Sequence, residues 1–264
     1  MQLGAMNNPM RDPAEEIERI AKARFEFVDL TLEPSAARSD RVDVARVAKA
    51  LRETGLGAVG HTAFFLPIAS SFDSLRECAF QEMLNSLLVF RDLGIAKVNI
   101  HPDWKVVLHD NDWVRGQNIE ALCRLAEAAR GLGQTILVEN LFGAWTRADF
   151  LRPIFAAVPE LRFHLDLGHA NLDGPVNRAE ELLHAFGRIL EHVHVSDNYG
   201  GTGGGDDLHL PIGAGRIDWP KMVGLLKRAG YDGTITLEIF SRDQDYLYIS
   251  REKFGRMWEE QTSS

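Results

Sequence analysis

The sequence predicts an α/β chain folded as a single closed (β/α)8 barrel domain over residues 1–264. Three observations predict it: 264 residues, eight short β-rich runs alternating with amphipathic helical stretches, and no linker or composition break between them. The first run, Gln2–Ala5, leads into a helix over Pro13–Ala23, and the second, Glu26–Leu30, into a helix over Val42–Thr54. Gly55 stops that helix before the run Gly57–His61. In the same way Gly94 ends the helix Leu75–Leu93 before Lys97–His101, and Gly133 follows the helix Trp113–Gly131 before Thr135–Glu139. Glycine suits these stops because it adopts the left-handed backbone that terminates a helix. Arg162–Asp166 and His192–Val195 are the sixth and seventh runs. The helix Trp219–Ala229 stops at Gly230 before the eighth, Thr234–Ile239, and a last helix runs from Asp243 to about Glu259.

Composition narrows the function classes. At 45% hydrophobic and 25% charged residues this is an ordinary globular chain, long enough to fold without a disulfide or structural metal as a staple. The apolar runs are too short to span a bilayer, with mean hydropathy −0.16. Met1–Arg11 lacks the basic start and apolar stretch of a secretory signal. Cys78 and Cys123 each fall in a helix-like stretch and form neither a disulfide framework nor a thiolate zinc site, so a reduced cytoplasmic compartment is the expectation. A net charge of −9 argues against a general nucleic-acid binder. It leaves a nuclease open, because bound divalent cations supply positive charge that the count omits.

Barrel active sites form at the C-terminal ends of the strands. The runs end in GAVGHTAF (His61), VNIHPDW (His101), ILVENLFG (Glu139), FHLDLGHANL (Asp166, then His169), HVHVSDN (His194) and ITLEIFS (Glu238). The loop after the seventh run adds Asp207 and His209 in DDLHLP. Singly, each reads as a hydrogen-bonded structural residue or a helix cap. Jointly, charged groups converging on one face stay desolvated unless paired or metal-bound, and His, Asp and Glu without Cys suit Zn²⁺, Mn²⁺ or a related ion. His164 and His192, two residues before Asp166 and His194, face the interior one layer deeper and read as packing or supporting residues. His109 and His184 carry no case for chemistry. Walker, HExxH and GxSxG motifs are absent. Gly200–Gly205 does not join a strand to a helix N-terminus as a phosphate cradle does, and reads as a flexible loop or lid bringing Asp207 and His209 to the site.

From about Glu26 to Phe240 these strand ends resemble the xylose-isomerase-like TIM barrel superfamily, which holds sugar isomerases and epimerases together with endonuclease IV-type apurinic-site nucleases. HVHVSDN followed by DDLHLPIGAGRIDW is the most specific stretch. The isomerase branch implies one metal held by Glu139, Asp166, His194 and Glu238, with the two glutamates as acid and base, and with His169, His101 and Trp104 binding substrate. The nuclease branch implies three zinc ions: His61, His101 and Glu139 on the first; Glu139, Asp166, His194 and Glu238 on the second; His169, Asp207 and His209 on the third. ENLFGAW in place of ENTAG, DLGHANL in place of DTCH, and the loss of the lysine after HVSDNY depart from the nucleases. The loops around Pro34–Asp40 and Ala63–Asp73 are also short and carry few basic residues. Tyr199 and glycines stand where ketose 3-epimerases usually carry an arginine. The loop aromatics Phe64, Phe65, Trp104, Phe142, Trp145 and Tyr199 read equally as sugar-stacking or packing residues.

The expectation is therefore a metal-dependent isomerase or epimerase of a sugar, sugar phosphate or hydroxy-carbonyl compound, using one to three Zn or Mn ions. It acts on a small carbohydrate, without a membrane partner, is compatible with a homo-oligomer, and meets nucleic acid only under the nuclease alternative. The alternatives are a multi-zinc phosphodiesterase acting on abasic DNA and a metal-binding barrel without turnover.

Overall fold

The computed structural model describes residues 1–261. Eight strands, β1 (Gln2–Met6), β2 (Phe27–Leu32), β3 (Gly57–Thr62), β4 (Lys97–Ile100), β5 (Thr135–Glu139), β6 (Arg162–Asp166), β7 (Leu190–Val195) and β8 (Thr234–Leu237), form a closed barrel in chain order. Between and after them run α1 (Pro13–Lys22), α2 (Val44–Thr54), α3 (Asp73–Asp92), α4 (Asn111–Gly131), α5 (Ala148–Ala157), α6 (Ala179–Phe186), α7 (Trp219–Arg228) and α8 (Asp245–Glu260). The expected (β/α)8 architecture is the observed one.

Most boundaries move by one or two residues, for local reasons. α2 starts at Val44 rather than Val42 because the Asp43 side chain caps it, accepting from Arg46 N. Asp110 does the same for α4, accepting from Trp113 N. β4 and β8 end earlier than expected, so His101 and Glu238 follow their strands rather than close them. The four glycines expected to stop helices all have left-handed φ, between 71° and 74°.

The described residues divide into two compact units, residues 6–139 with 153–162, and residues 1–5 with 140–152 and 163–261. In the first, β2, β3, β4 and β5 pair in parallel, with His61 opposite Asn99. Its core includes Val28, Leu30, Val98, Ile100, Met83, Leu87, Phe90 and Leu122. Gly60 lets α3 sit down on β3: a Cβ there would lie 2.9 Å from the buried Phe90 ring. In the second unit, β8 pairs with β1 and β7, and β7 with β6. That register sets Asp166 beside His194 and His194 beside Thr236, two residues before Glu238. Leu165, Val193, Val195, Ile235, Leu237 and Phe254 are buried there.

Gly60→Ala forces the Phe90 ring out of its place and is expected to destabilise the protein by about 1–3 kcal/mol in thermal or urea unfolding. An unchanged or raised midpoint contradicts the packing described.

Candidate active site

In the first unit, His61 on β3, His101 after β4 and Glu139 at the end of β5 offer ligand atoms within 4.8 Å of one another. The two imidazole rings are 5.0 Å apart. His61 Nδ1 lies 2.8 Å from the Thr62 carbonyl. A carbonyl only accepts, so the proton sits on Nδ1 and Nε2 carries the lone pair. Glu139 is fully buried, and its Oε2 meets His101 Nε2 at 2.9 Å and accepts from Asn99 Nδ2 at 2.7 Å. Asn99 escaped sequence reading, since one buried amide on a strand has no signature beyond facing inward, two residues before His101.

In the second unit, Asp166, His194 and Glu238 converge, their ligand atoms again within 4.8 Å. His194 Nδ1 is 3.2 Å from Glu238 Oε2 and 4.0 Å from Asp166 Oδ2. Asn140, which follows the strand-ending glutamate, fixes Asp166 like an added piece of strand. Its Nδ2 donates to the Asp166 carbonyl and its Oδ1 accepts from Asp166 N, both at 2.9 Å. The Asn140 carbonyl also accepts from His169 Nδ1 at 2.9 Å, while His169 N donates to Asp166 Oδ1 at 2.5 Å. His164 and His192 are also buried and, with His194, offer ligand atoms within 4.8 Å of one another, and His192 meets the Thr234 and Thr236 hydroxyls at 2.7 and 3.1 Å.

The loop after β7 completes this unit's set. Asp207 Oδ2 lies 3.2 Å from His169 Nε2 and 2.9 Å from His209 Nε2, and His209 Nδ1 donates to the Glu238 carbonyl at 3.2 Å. Burial works to raise the Asp207 pKa, but the bonds to His169 and His209 prevail and hold it well below the usual carboxylate range. Burial likewise works to lower the His209 pKa, and the charge of Glu238 with the bond to Asp207 pushes it up to about 9.

The motif HVSDN…LPIGAGRIDW proves to be built around Asp197, a buried carboxylate without a sequence-assigned role. Its Oδ2 accepts from Gly213 N and Trp219 Nε1 at 2.8 and 2.9 Å, and its Oδ1 from Ile217 N at 3.2 Å. A Cβ on Gly215 would lie 2.3 Å from Asp197 Oδ1, so the carboxylate demands glycine there. Among the loop aromatics, Trp145 is packing: it is 1% exposed and edge-on to Phe150. Phe64, Phe65, Trp104 and Tyr199 are exposed, and the Phe142 ring stands roughly perpendicular to that of His169 with centroids 4.8 Å apart. His109 stacks on Trp113 and His184 lies on α6, both without a catalytic setting. Cys78 and Cys123 are free and exposed. Among the described residues no helix is long and apolar enough to cross a membrane.

The family model described as xylose isomerase-like TIM barrel matches residues 17–259. The chain belongs to that family. Within it, one relative is an uncharacterized protein of Methanocaldococcus jannaschii, MJ1311, 28% identical over 70% of this chain and 71% of its own. Another is the putative L-ribulose-5-phosphate 3-epimerase SgbU of Escherichia coli, 25% identical over 91% of this chain and 89% of its own. Among solved structures, a D-tagatose 3-epimerase-like protein superimposes with a TM-score of 0.85 at 25% identity, covering 98% of this chain and 97% of that one. The family expected from the strand ends is therefore the family found.

The shift at His209 gives a testable titration. With a folded pKa of about 9 against an ordinary 6.5, its protonated form adds stability that is complete below pH 6.5 and lost as pH rises through 9. In chelator-treated protein, the His209 ring signals in NMR are expected to titrate near pH 9. A midpoint at or below 6.5 contradicts the Asp207–His209 pairing.

Proposed function

We propose that this protein is a divalent-metal-dependent sugar epimerase or isomerase. The observation that carries the reading is the buried set Asp166, His194 and Glu238, three ligand-type side chains converging at the ends of β6, β7 and β8. The donor set fits a divalent cation such as Zn²⁺ or Mn²⁺. Two carboxylates and an imidazole, with ligand atoms within 4.8 Å and almost no exposure, supply the charge and the hard-to-borderline donors such an ion takes. Glu139 would complete the set. Relatives named as L-ribulose-5-phosphate 3-epimerase and a D-tagatose 3-epimerase-like protein support a small carbohydrate substrate with a carbonyl beside the reacting carbon.

A bound divalent cation would polarise that carbonyl and acidify the neighbouring C–H. The chain's own residues then handle the protons. One glutamate of the Glu139/Glu238 pair removes the proton from carbon, and the released electron pair moves onto the carbonyl oxygen. The other glutamate, protonated, returns a proton to the opposite face as the carbonyl re-forms, which inverts the centre. Exchange with water resets the pair. Asn99 orients Glu139 through its bond to Oε2, and His194 lies against Glu238 Oε2. His169, oriented by Asn140, contacts a substrate hydroxyl, while His101 and Trp104 bind the remainder of the sugar.

A second reading, a multi-zinc phosphodiesterase acting on abasic DNA, is favoured by one observation. His61, His101 and Glu139 converge separately, as do His169, Asp207 and His209. On a panel of free and phosphorylated ketoses, Glu139→Gln and Glu238→Gln are each expected to lower kcat about 10²–10⁴-fold with the circular dichroism spectrum unchanged. Wild-type product formed in D2O should carry deuterium at the inverted carbon. Full turnover by Glu139→Gln contradicts the mechanism, and incision of an abasic duplex without ketose turnover decides for the second reading.

A further inference from the structure

The glycine-rich loop Gly200–Gly205 holds five glycines in six residues, and ordering glycine costs more backbone entropy than ordering any other residue. Such a run keeps one conformation only if side chains elsewhere hold it. Three do so, and Asp173, on the loop after β6, is the one that reaches across to other loops. Its Oδ1 accepts from Gly203 N at 3.0 Å, its backbone N donates to the Gly201 carbonyl at 2.8 Å, and its Oδ2 accepts from Gly143 N at 2.7 Å. Asp173 itself has a φ of 56°, a left-handed backbone unusual for a residue with a side chain. Within the loop, Asp206 accepts from Thr202 N at 2.7 Å and Asn198 from Gly200 N at 2.9 Å. A Cβ on Gly201 would lie 2.2 Å from Asp206, so the loop closes against its own carboxylate.

Both ends of this clamp lead to His169. Gly143 adjoins Phe142, whose ring stands roughly perpendicular to the His169 ring with centroids 4.8 Å apart, and Gly204 packs on the same Phe142 ring, a Cβ there falling at 3.2 Å. Directly after the loop come Asp207, bonded to His169 and His209, and His209, whose Nδ1 lies 3.5 Å from Glu238 Oε2. We propose that Asp173 is a positioning residue for the reaction: through Gly203 and Gly143 it holds the glycine-rich loop shut and sets Asp207, His209 and Phe142 against His169 and Glu238. It touches no reacting atom, and its kinetic consequence rests on the epimerase reading above.

Two readouts test it separately. Tyr199 is exposed at the head of the loop, so chymotrypsin cleavage after it reports whether the loop stays held, with no need of substrate. Asp173→Ala is expected to speed that cleavage at least about tenfold, and Asp173→Asn, which keeps one accepting oxygen, by an intermediate factor. On the sugar turned over by the wild type, Asp173→Ala is expected to lower kcat/KM about tenfold or more, with the unfolding midpoint within a few degrees of the wild type. If Asp173 acts through Asp207, the double variant Asp173→Ala/Asp207→Ala loses little more than Asp207→Ala alone. Gly201→Ala, which crowds Asp206, should open the loop as well and serves if Asp173→Ala fails to fold. Cleavage and kcat/KM both unchanged in the folded variants, or fully additive losses in the double variant, overturn the proposal. A wild type that turns over no sugar but shows the expected cleavage pattern sinks the epimerase reading and leaves the clamp standing.

Discussion

Carboxylates removed from water must be compensated, and this protein removes several at once. Glu139, Asp166, Asp197 and Glu238 are all buried, and the desolvation of four negative groups is a cost no hydrophobic core offsets unless each finds donors or cations. The structure meets that constraint in two ways. Asp197 is compensated wholly within the protein, by backbone and indole N–H groups, and becomes the organiser of the loop after β7. Glu139 faces the His101 imidazole instead, and within the other unit Asp166 and Glu238 face that of His194.

The difference also explains why the histidines are oriented as they are. His61, His169 and His209 each turn Nδ1 to a backbone carbonyl, which fixes the orientation of the ring. His169 and His209 also turn Nε2 to the Asp207 carboxylate, so these rings are held at both nitrogens rather than left as mobile surface rings. Asn99 does for the Glu139 carboxylate what those carbonyls do for the imidazoles, and Asn140 fixes the backbone that carries Asp166. A site built this way spends little on reorganisation when a ligand arrives.

Much of this was legible in the sequence, and the reason is periodicity. Each strand is short and apolar, several helices stop at a glycine, and the barrel architecture tells which end of a strand carries function, so His61, Glu139, Asp166 and His194 could be located by where apolar runs close. The boundaries moved where a side-chain cap intervened, as at Asp43 and Asp110. What sequence reading missed acts through space with no period. Asn140 pairs with Asp166 across 26 residues, Asp197 with Trp219 across 22, and Asp173 ties loops 30 residues away on either side. Side-chain to backbone bonds of that kind leave no spacing rule in the chain. Trp145 read equally as a stacking or a packing residue, and its burial against Phe150 decides for packing.

Under the proposed function, the buried carboxylates and imidazoles hold a divalent ion. The most direct test is metal content per chain by mass spectrometry, on tag-free protein purified without chelator, beside Asp166→Asn and His194→Ala. The wild type is expected to hold about one divalent ion per chain tightly, and both variants are expected to lose it. Folded wild-type protein that binds no divalent ion, even when zinc and manganese are supplied in excess, would contradict the proposed function.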